Sequence, residues 1–220
     1  MVLRKWLQIA IDDLKSDVNK MANLVIKNIT DSLHAFEVND LRLAKEIKKR
    51  DVGVDALEDE ISKKALQIIW KEQPLASDLR LVTGIYKLIT DLERIGDHAT
   101  DIANITITTH DIYEKRLLPI TTKMANIAKK MVLNSVEAFF TLNEQLAKDT
   151  ILMDDEVDKY FAEIVNLAIT EFRDNTTDPG FGVYLLFVAK YIERISDHAT
   201  NICEWLIYIV SGIIREKQLF

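Results

Sequence analysis

A short segment of this chain occurs twice, a hundred residues apart. Residues 92–103 read Leu-Glu-Arg-Ile-Gly-Asp-His-Ala-Thr-Asp-Ile-Ala, and residues 192–203 read Ile-Glu-Arg-Ile-Ser-Asp-His-Ala-Thr-Asn-Ile-Cys. A weaker echo pairs Asp51, Val54, Asp55 and Ile61 with Asp154, Val157, Asp158 and Ile164, at an offset of 103. Self-similarity on this scale restricts the fold to two like units in tandem, because each copy must bury the same apolar positions in the same way. The repeat therefore divides the chain into residues 1–112 and 116–220, joined near Tyr113 to Pro119. The slip of three residues between the two offsets fits inside one loop.

The units read as helical. Six glycines and three prolines in 220 residues are too few for a sandwich, a barrel or a disordered tail. The prolines stand where apolar spacing at three and four residues stops: Gln73-Pro74, Leu118-Pro119 and Asp178-Pro179-Gly180. Polar cap-type residues at Val38-Asn39-Asp40 and Lys148-Asp149-Thr150 suggest two further breaks. Six helices follow, over about 2–37, 40–72, 75–110, 120–145, 150–174 and 179–216. Ile105-Thr106-Ile107-Thr108 alternates like a strand but is too short and continues a helical pattern. The expected fold is all-α, two tandem antiparallel three-helix bundles related by the internal repeat.

Charge and composition narrow the function. With 35 acidic against 28 basic residues and a net charge of −7, the chain lacks the basic footprint a general nucleic-acid binder needs. The start, Met1 to Trp6, is charged, and acids resume at Asp12 without a small-residue cleavage site, so it reads as helix and not as a signal peptide. The apolar run Trp205 to Ile214 is about half the length that spans a bilayer and reads as a buried helix end. The lone Cys203 fits a reducing compartment and a packed thiol, and a cytoplasmic location is expected.

Acidic residues recur at helical spacing. Glu93, Asp97 and Asp101 stand four residues apart on the third expected helix, about 80–160° round from the stripe of Ile85, Leu88, Leu92 and Ile95. Glu193, Asp197 and Asn201 repeat them, with one carboxylate replaced by an amide. Asp51, Asp55 and Asp59 form a like series on the second helix, answered by Asp154 and Asp158. Like charges at this spacing each destabilise a helix by about 0.2–0.5 kcal/mol, so opposite charge is needed. Arg94 and Arg194, with Lys63 and Lys64, are one source; a bound cation is the other. Oxygen-rich acid clusters on adjacent helices suit hard or borderline metals, and iron, zinc, manganese or magnesium cannot be told apart this way. A ferritin-like di-iron centre would need Glu-x-x-His pairs, which are missing. His98 and His198 read as neighbours of the acids and not as ligands. Gly53 suggests a close approach to an ion or helix, or plain tolerance; Asp78-Leu79-Arg80 reads as an acidic first helical turn, with a partner contact open for the arginine.

Glu-Arg-Ile-Gly-Asp-His-Ala at 93–99, its copy at 193–199 and Gln-Pro-Leu-Ala-Ser-Asp-Leu-Arg at 73–80 resemble the PhoU family along the whole chain. The resemblance implies a cytoplasmic negative regulator of phosphate uptake and phosphate-regulon signalling. Such a protein links the phosphate ABC transporter, through its ATPase, to a phosphate-sensing histidine kinase. The resemblance also implies homodimerisation, membrane association only through partners, and multinuclear metal clusters on acid-x-x-x-Asp motifs. Glu93, Asp97, Asp101, Asp51 and Asp55 would serve one cluster and Glu193, Asp197, Asn201, Asp154 and Asp158 the other. Asn201, bringing no charge, would weaken the second. No nucleophile or general-base grouping stands out, so a non-enzymatic adaptor is expected; the alternative is a carboxylate-bridged metalloenzyme of phosphatase or oxidase type.

Overall fold

The computed structural model describes residues 2–111, 119–174 and 179–211. Among them are seven helices and no strand: α1 (Val2–Val38), α2 (Leu41–Glu72), α3 (Ser77–Thr108), α4 (Pro119–Thr141), α5 (Glu144–Leu152), α6 (Asp154–Asp174) and α7 (Pro179–Ser211). Helices α1–α3 pack together as the first bundle and α4–α7 as the second. The expected linker at 113–118, Asp178 and the apolar residues beyond Ser211 lie outside the described residues. No described helix is long and apolar enough to cross a membrane.

The expected helices at 120–145 and 150–174 are corrected to three, α4 to α6, and Lys148-Asp149-Thr150 lies inside a helix instead of breaking one. The chain turns earlier, at Leu142, whose φ is 51°. There Asn143 caps α5, its side chain accepting from Leu146 N at 3.0 Å. The same turn is built 103 residues earlier. Asn39 has φ 57°, and Asp40 caps α2 by accepting from Leu43 N at 2.9 Å. The backbone bonds agree too: Asp40 N donates to Ala35 O and Asn143 N to Ala138 O. The second break is at Met153, where N–H groups reach back three residues instead of four. Its counterpart in the first bundle is Arg50, inside the unbroken α2 and paired with Asp31 at 2.6 Å.

Both bundles share one apolar core. Phe36, Leu88, Leu92, Phe139, Ile195 and Leu206 belong to it and are buried, each stabilising the fold by roughly 1.5–3 kcal/mol. Its centre is the seam between α3 and α7, which run antiparallel. Arg80 Nε donates to Ile209 O at 3.1 Å, and Gly84 leaves the room that Ile209 fills. Further along, Asp91 meets His198 and His98 meets Tyr191. Each step up α3 is thus a step down α7, and the seam has an approximate two-fold axis. Arg80 is used inside the chain. Among the described residues a Cβ on Gly53 would meet Leu24 alone, at an ordinary 3.6 Å, so no close helix packing explains that glycine. Cys203 is buried, and burial pushes its thiol up to about 12.

Candidate functional site

The acid ridges are partly buried, lying along the line where paired helices meet. Four-residue spacing sets Glu93, Asp97 and Asp101 along one edge of α3, and packing lays that edge beside Asp51 and Asp55 on α2. The side chain of Glu93 is only 18% exposed and that of Glu193 14%, whereas Asp97, Asp101 and Asp197 are near 40%. Gly96 eases the approach of α2. A Cβ there would stand 3.3 Å from Val54 and 3.4 Å from Asp51 Oδ1. In the second bundle Ser196 occupies that position, beside Asp154.

Crowding and burial shift the titration of both groups. Burial first, then the carboxylates of Asp55, Asp97 and Asp101, raises Asp51 to about 6, with the nearby Thr100 hydroxyl opposing them. Burial and Asp97 raise Glu93 to about 7 although Arg94 opposes them. In the second bundle burial, with Asp158, Asp197 and Glu193, raises Asp154 to about 6, although the Ser196 hydroxyl opposes them. Asp158 and Asp197 are raised by burial and then by Glu193. Asp101 is also raised, mainly by burial. The two helices of each bundle therefore press their acids against each other, as their spacing suggests.

Side chains supply part of the missing positive charge. Arg94 Nη1 stands 3.0 Å from Asp97, and Lys190 Nζ 2.6 Å from Glu193. Arg194 is looser, 4.0 Å from Asp197. Asp59 pairs with Lys63 and Glu60 with Lys64, while Asp51, Asp55 and Glu58 of α2 act on the α3 acids. No donor among the described residues reaches the buried Oδ1 of Asp154. The donor atoms in both groups are oxygens, and their mutual repulsion is only partly relieved by these side chains. As the side chains stand, no group of three or more His, Cys, Asp or Glu among the described residues is set to hold a metal ion.

The remaining members of the two sets turn toward the seam. Asp101 Oδ2 is 3.6 Å from His98 Nδ1, and the His98 ring stacks on Tyr191 at 5.7 Å and lies 5.6 Å from His198. Across the axis, His198 Nδ1 donates to Asp91 Oδ1 at 2.8 Å and Asn201 Nδ2 to the same oxygen at 3.2 Å. Asp91, Thr100, Tyr191 and Ser196 were not among the sequence-derived candidates. The repeat held the signal for two of them: Asp91 aligns with Tyr191, a departure in the same stretch as that of Asp101 from Asn201.

Comparison with known proteins gives consistent results. A family model described as the PhoU domain matches the chain twice, over residues 18–106 and 121–206. The phosphate-specific transport system accessory protein PhoU homolog of Clostridium acetobutylicum is 33% identical over 210 residues, covering 95% of this chain and 96% of that one. The homolog from Aquifex aeolicus is 36% identical over 210 residues, 94% of each. The crystal structure of PhoU from Pseudomonas aeruginosa superposes with a TM-score of 0.89 at 29% identity, over 94% of this chain and 99% of that one.

Proposed function

This chain belongs to the PhoU family, and from that premise we propose that it is an accessory regulator of a phosphate-specific transport system, acting by contact and not by catalysis. Its role is to restrain uptake when phosphate is plentiful, as an adaptor between the transporter ATPase and a phosphate-sensing histidine kinase, in the cytoplasm and as a homodimer. The names of its relatives support the first part, since they describe an accessory protein of transport.

The observation that carries the chemical part of the proposal is the crowding of half-buried carboxylates between α2 and α3 and again between α6 and α7. Asp51, Asp55, Glu93, Asp97 and Asp101 would hold metal ions in the first bundle. Asp154, Asp158, Glu193, Asp197 and Asn201 would do so in the second. A divalent or trivalent ion there supplies fixed positive charge between the paired helices, relieving the repulsion that raises Asp51, Glu93 and Asp154. The chain's own residues set where it sits: Gly96 admits Asp51, and Arg94 and Lys190 orient Asp97 and Glu193.

Two measurements test this reading. Metal content of protein purified without chelator should fall by about half in each of Asp97→Ala and Asp197→Ala, assuming two sites of like capacity. Equal content in parent and variants would remove the metal from the proposal. Co-purification from cells grown at high and low phosphate should recover the transporter ATPase and the kinase; their absence in both conditions would remove the adaptor.

A further inference from the structure

The first half of α2 is positively charged in a way that works against the helix. Arg42, Lys45, Lys48 and Lys49 are exposed, and none of them forms an ion pair with a described residue. Arg42, Lys45 and Lys49 stand at steps of three and four, so they make one stripe along about 10 Å of helix surface, with Lys48 beside it. Like charges at that spacing repel one another. The N-terminal turns are also the positive end of the helix dipole, where cations are unfavourable. The first turn of α2 holds no acid, and only the cap residue Asp40 precedes it. Glu46, the one acid between Leu41 and Arg50, lies toward Arg50 at 3.9 Å, and Arg50 is itself paired with Asp31.

The second copy of the repeat shows that the fold does not need these cations. At the offset of 103, Arg42, Lys45, Lys48 and Lys49 correspond to Gln145, Lys148, Ile151 and Leu152. There the polar side chains are used within α5: Gln145 donates to Asp149 at 2.8 Å, and Lys148 pairs with Glu144 at 2.6 Å. The turn and cap ahead of both segments are alike, and Ala44 and Ala147 are both buried. What differs is the outward charge. Further along α2 and α3 the cations do sit beside acids, Lys64 by Asp17 and Glu60, and Arg94 by Asp97. An unpaired cationic stripe that destabilises its own helix, in a chain of net charge −7, becomes favourable when something acidic covers it.

We propose that Arg42, Lys45, Lys48 and Lys49 form the docking surface for an acidic helical segment of a partner protein, whose carboxylates face the stripe at three- and four-residue spacing. The inference rests on the adaptor reading above and gives one of its two contacts a place and a chemistry. The surroundings of the stripe favour a protein over a membrane. Glu37 and Asp111 are exposed at the same end of the bundle, where Asn39 Nδ2 donates to His110 O at 3.0 Å and ties the end of α3 to the α1–α2 turn. A flat anionic bilayer wide enough to cover the stripe meets those carboxylates as well. A single acidic helix lying along α2 does not.

The test compares the full-length chain with two triple variants of equal charge. Arg42→Gln, Lys45→Gln and Lys49→Gln together empty the stripe. Lys71→Gln, Lys123→Gln and Lys130→Gln remove as many exposed cations that have no ion pair with a described residue. In co-purification from cells grown at high phosphate, the stripe variant should recover about tenfold less of either the transporter ATPase or the kinase, and the control variant as much of both as the parent. Poly-L-glutamate of about 20 residues, followed by fluorescence anisotropy at low salt, should bind parent and control alike and the stripe variant about tenfold more weakly. The melting temperature of the stripe variant should equal or exceed the parent's, because repulsion along α2 is removed. A lower melting temperature would assign the cations to the fold. Equal recovery of both partners, or equal binding of the peptide, would leave the stripe with no acidic partner. Sedimentation of the parent but not the stripe variant with phosphatidylglycerol vesicles would assign it to a membrane. Each of these outcomes overturns the proposal and leaves the adaptor reading in place. A parent chain that recovers neither partner overturns the adaptor reading, and the docking surface with it.

Discussion

Glu93 is where three influences meet: a mostly buried carboxyl, the charge of Asp97 one turn on, and Arg94 too exposed to offset them. Its folded-state value of about 7 lies above the ordinary 4.5, so the folded chain binds a proton more tightly than the unfolded one. The favourable contribution is complete below pH 4.5 and is lost as pH rises through 7. Asp51 and Asp154 add the same trend between 3.8 and about 6. His98, whose proton affinity burial lowers, pulls the other way, so the parent must be compared with Glu93→Gln. In metal-free protein the urea midpoint of the parent, relative to that variant, should fall between pH 5 and pH 7. A relative midpoint that rises over the interval contradicts the assignment. At this scale the ridges were legible, because spacing of four on a helix fixes a shared edge. The partners of His98 and His198 were not, because they lie on a helix a hundred residues away.

Two glycines show how an element's surroundings decide the sign of one substitution. Alanine in place of glycine ordinarily stabilises a helix by about 1 kcal/mol. At Gly53 a Cβ meets nothing closer than 3.6 Å, so Gly53→Ala should raise the melting temperature. At Gly84 it would stand 2.1 Å from Ile209 Cδ1 and 2.8 Å from Cγ1, in a buried seam. Gly84→Ala should therefore cost about 1–3 kcal/mol, read by thermal unfolding of both variants side by side. Asn143→Ala should cost about 1 kcal/mol through loss of the α5 cap. The duplicated cap is half legible in the sequence: Val38-Asn39-Asp40 reads as a break. The break at Asn143 is hidden because Leu142, an apolar residue, takes the left-handed turn, and Lys148-Asp149-Thr150 looks more polar.

Across the whole molecule the repeats remain recognisable but not separate. Apolar residues of α1 through α7 form one continuous core, with the α3–α7 seam inside it. Metal-free protein should therefore unfold in one transition, with circular dichroism and tryptophan fluorescence changing together; two separated steps would mean that the bundles are independent. Tandem duplication could be read from residues 92–103 and 192–203 alone. The antiparallel seam could not, since like sequence says that two helices are equivalent and leaves open whether or how they touch. Only the paired exceptions, Asp91 against Tyr191 and Asp101 against Asn201, hint at contact.

The single thiol gives this architecture a built-in stopwatch. Cys203 is sealed in the middle of the protein with a value near 12, so almost none of it is thiolate at neutral pH. A thiol reagent can modify it only after α7 has lifted away from its neighbours. The labelling rate then counts those openings, and any ligand that clamps the two halves together will slow the count without touching the sulfur.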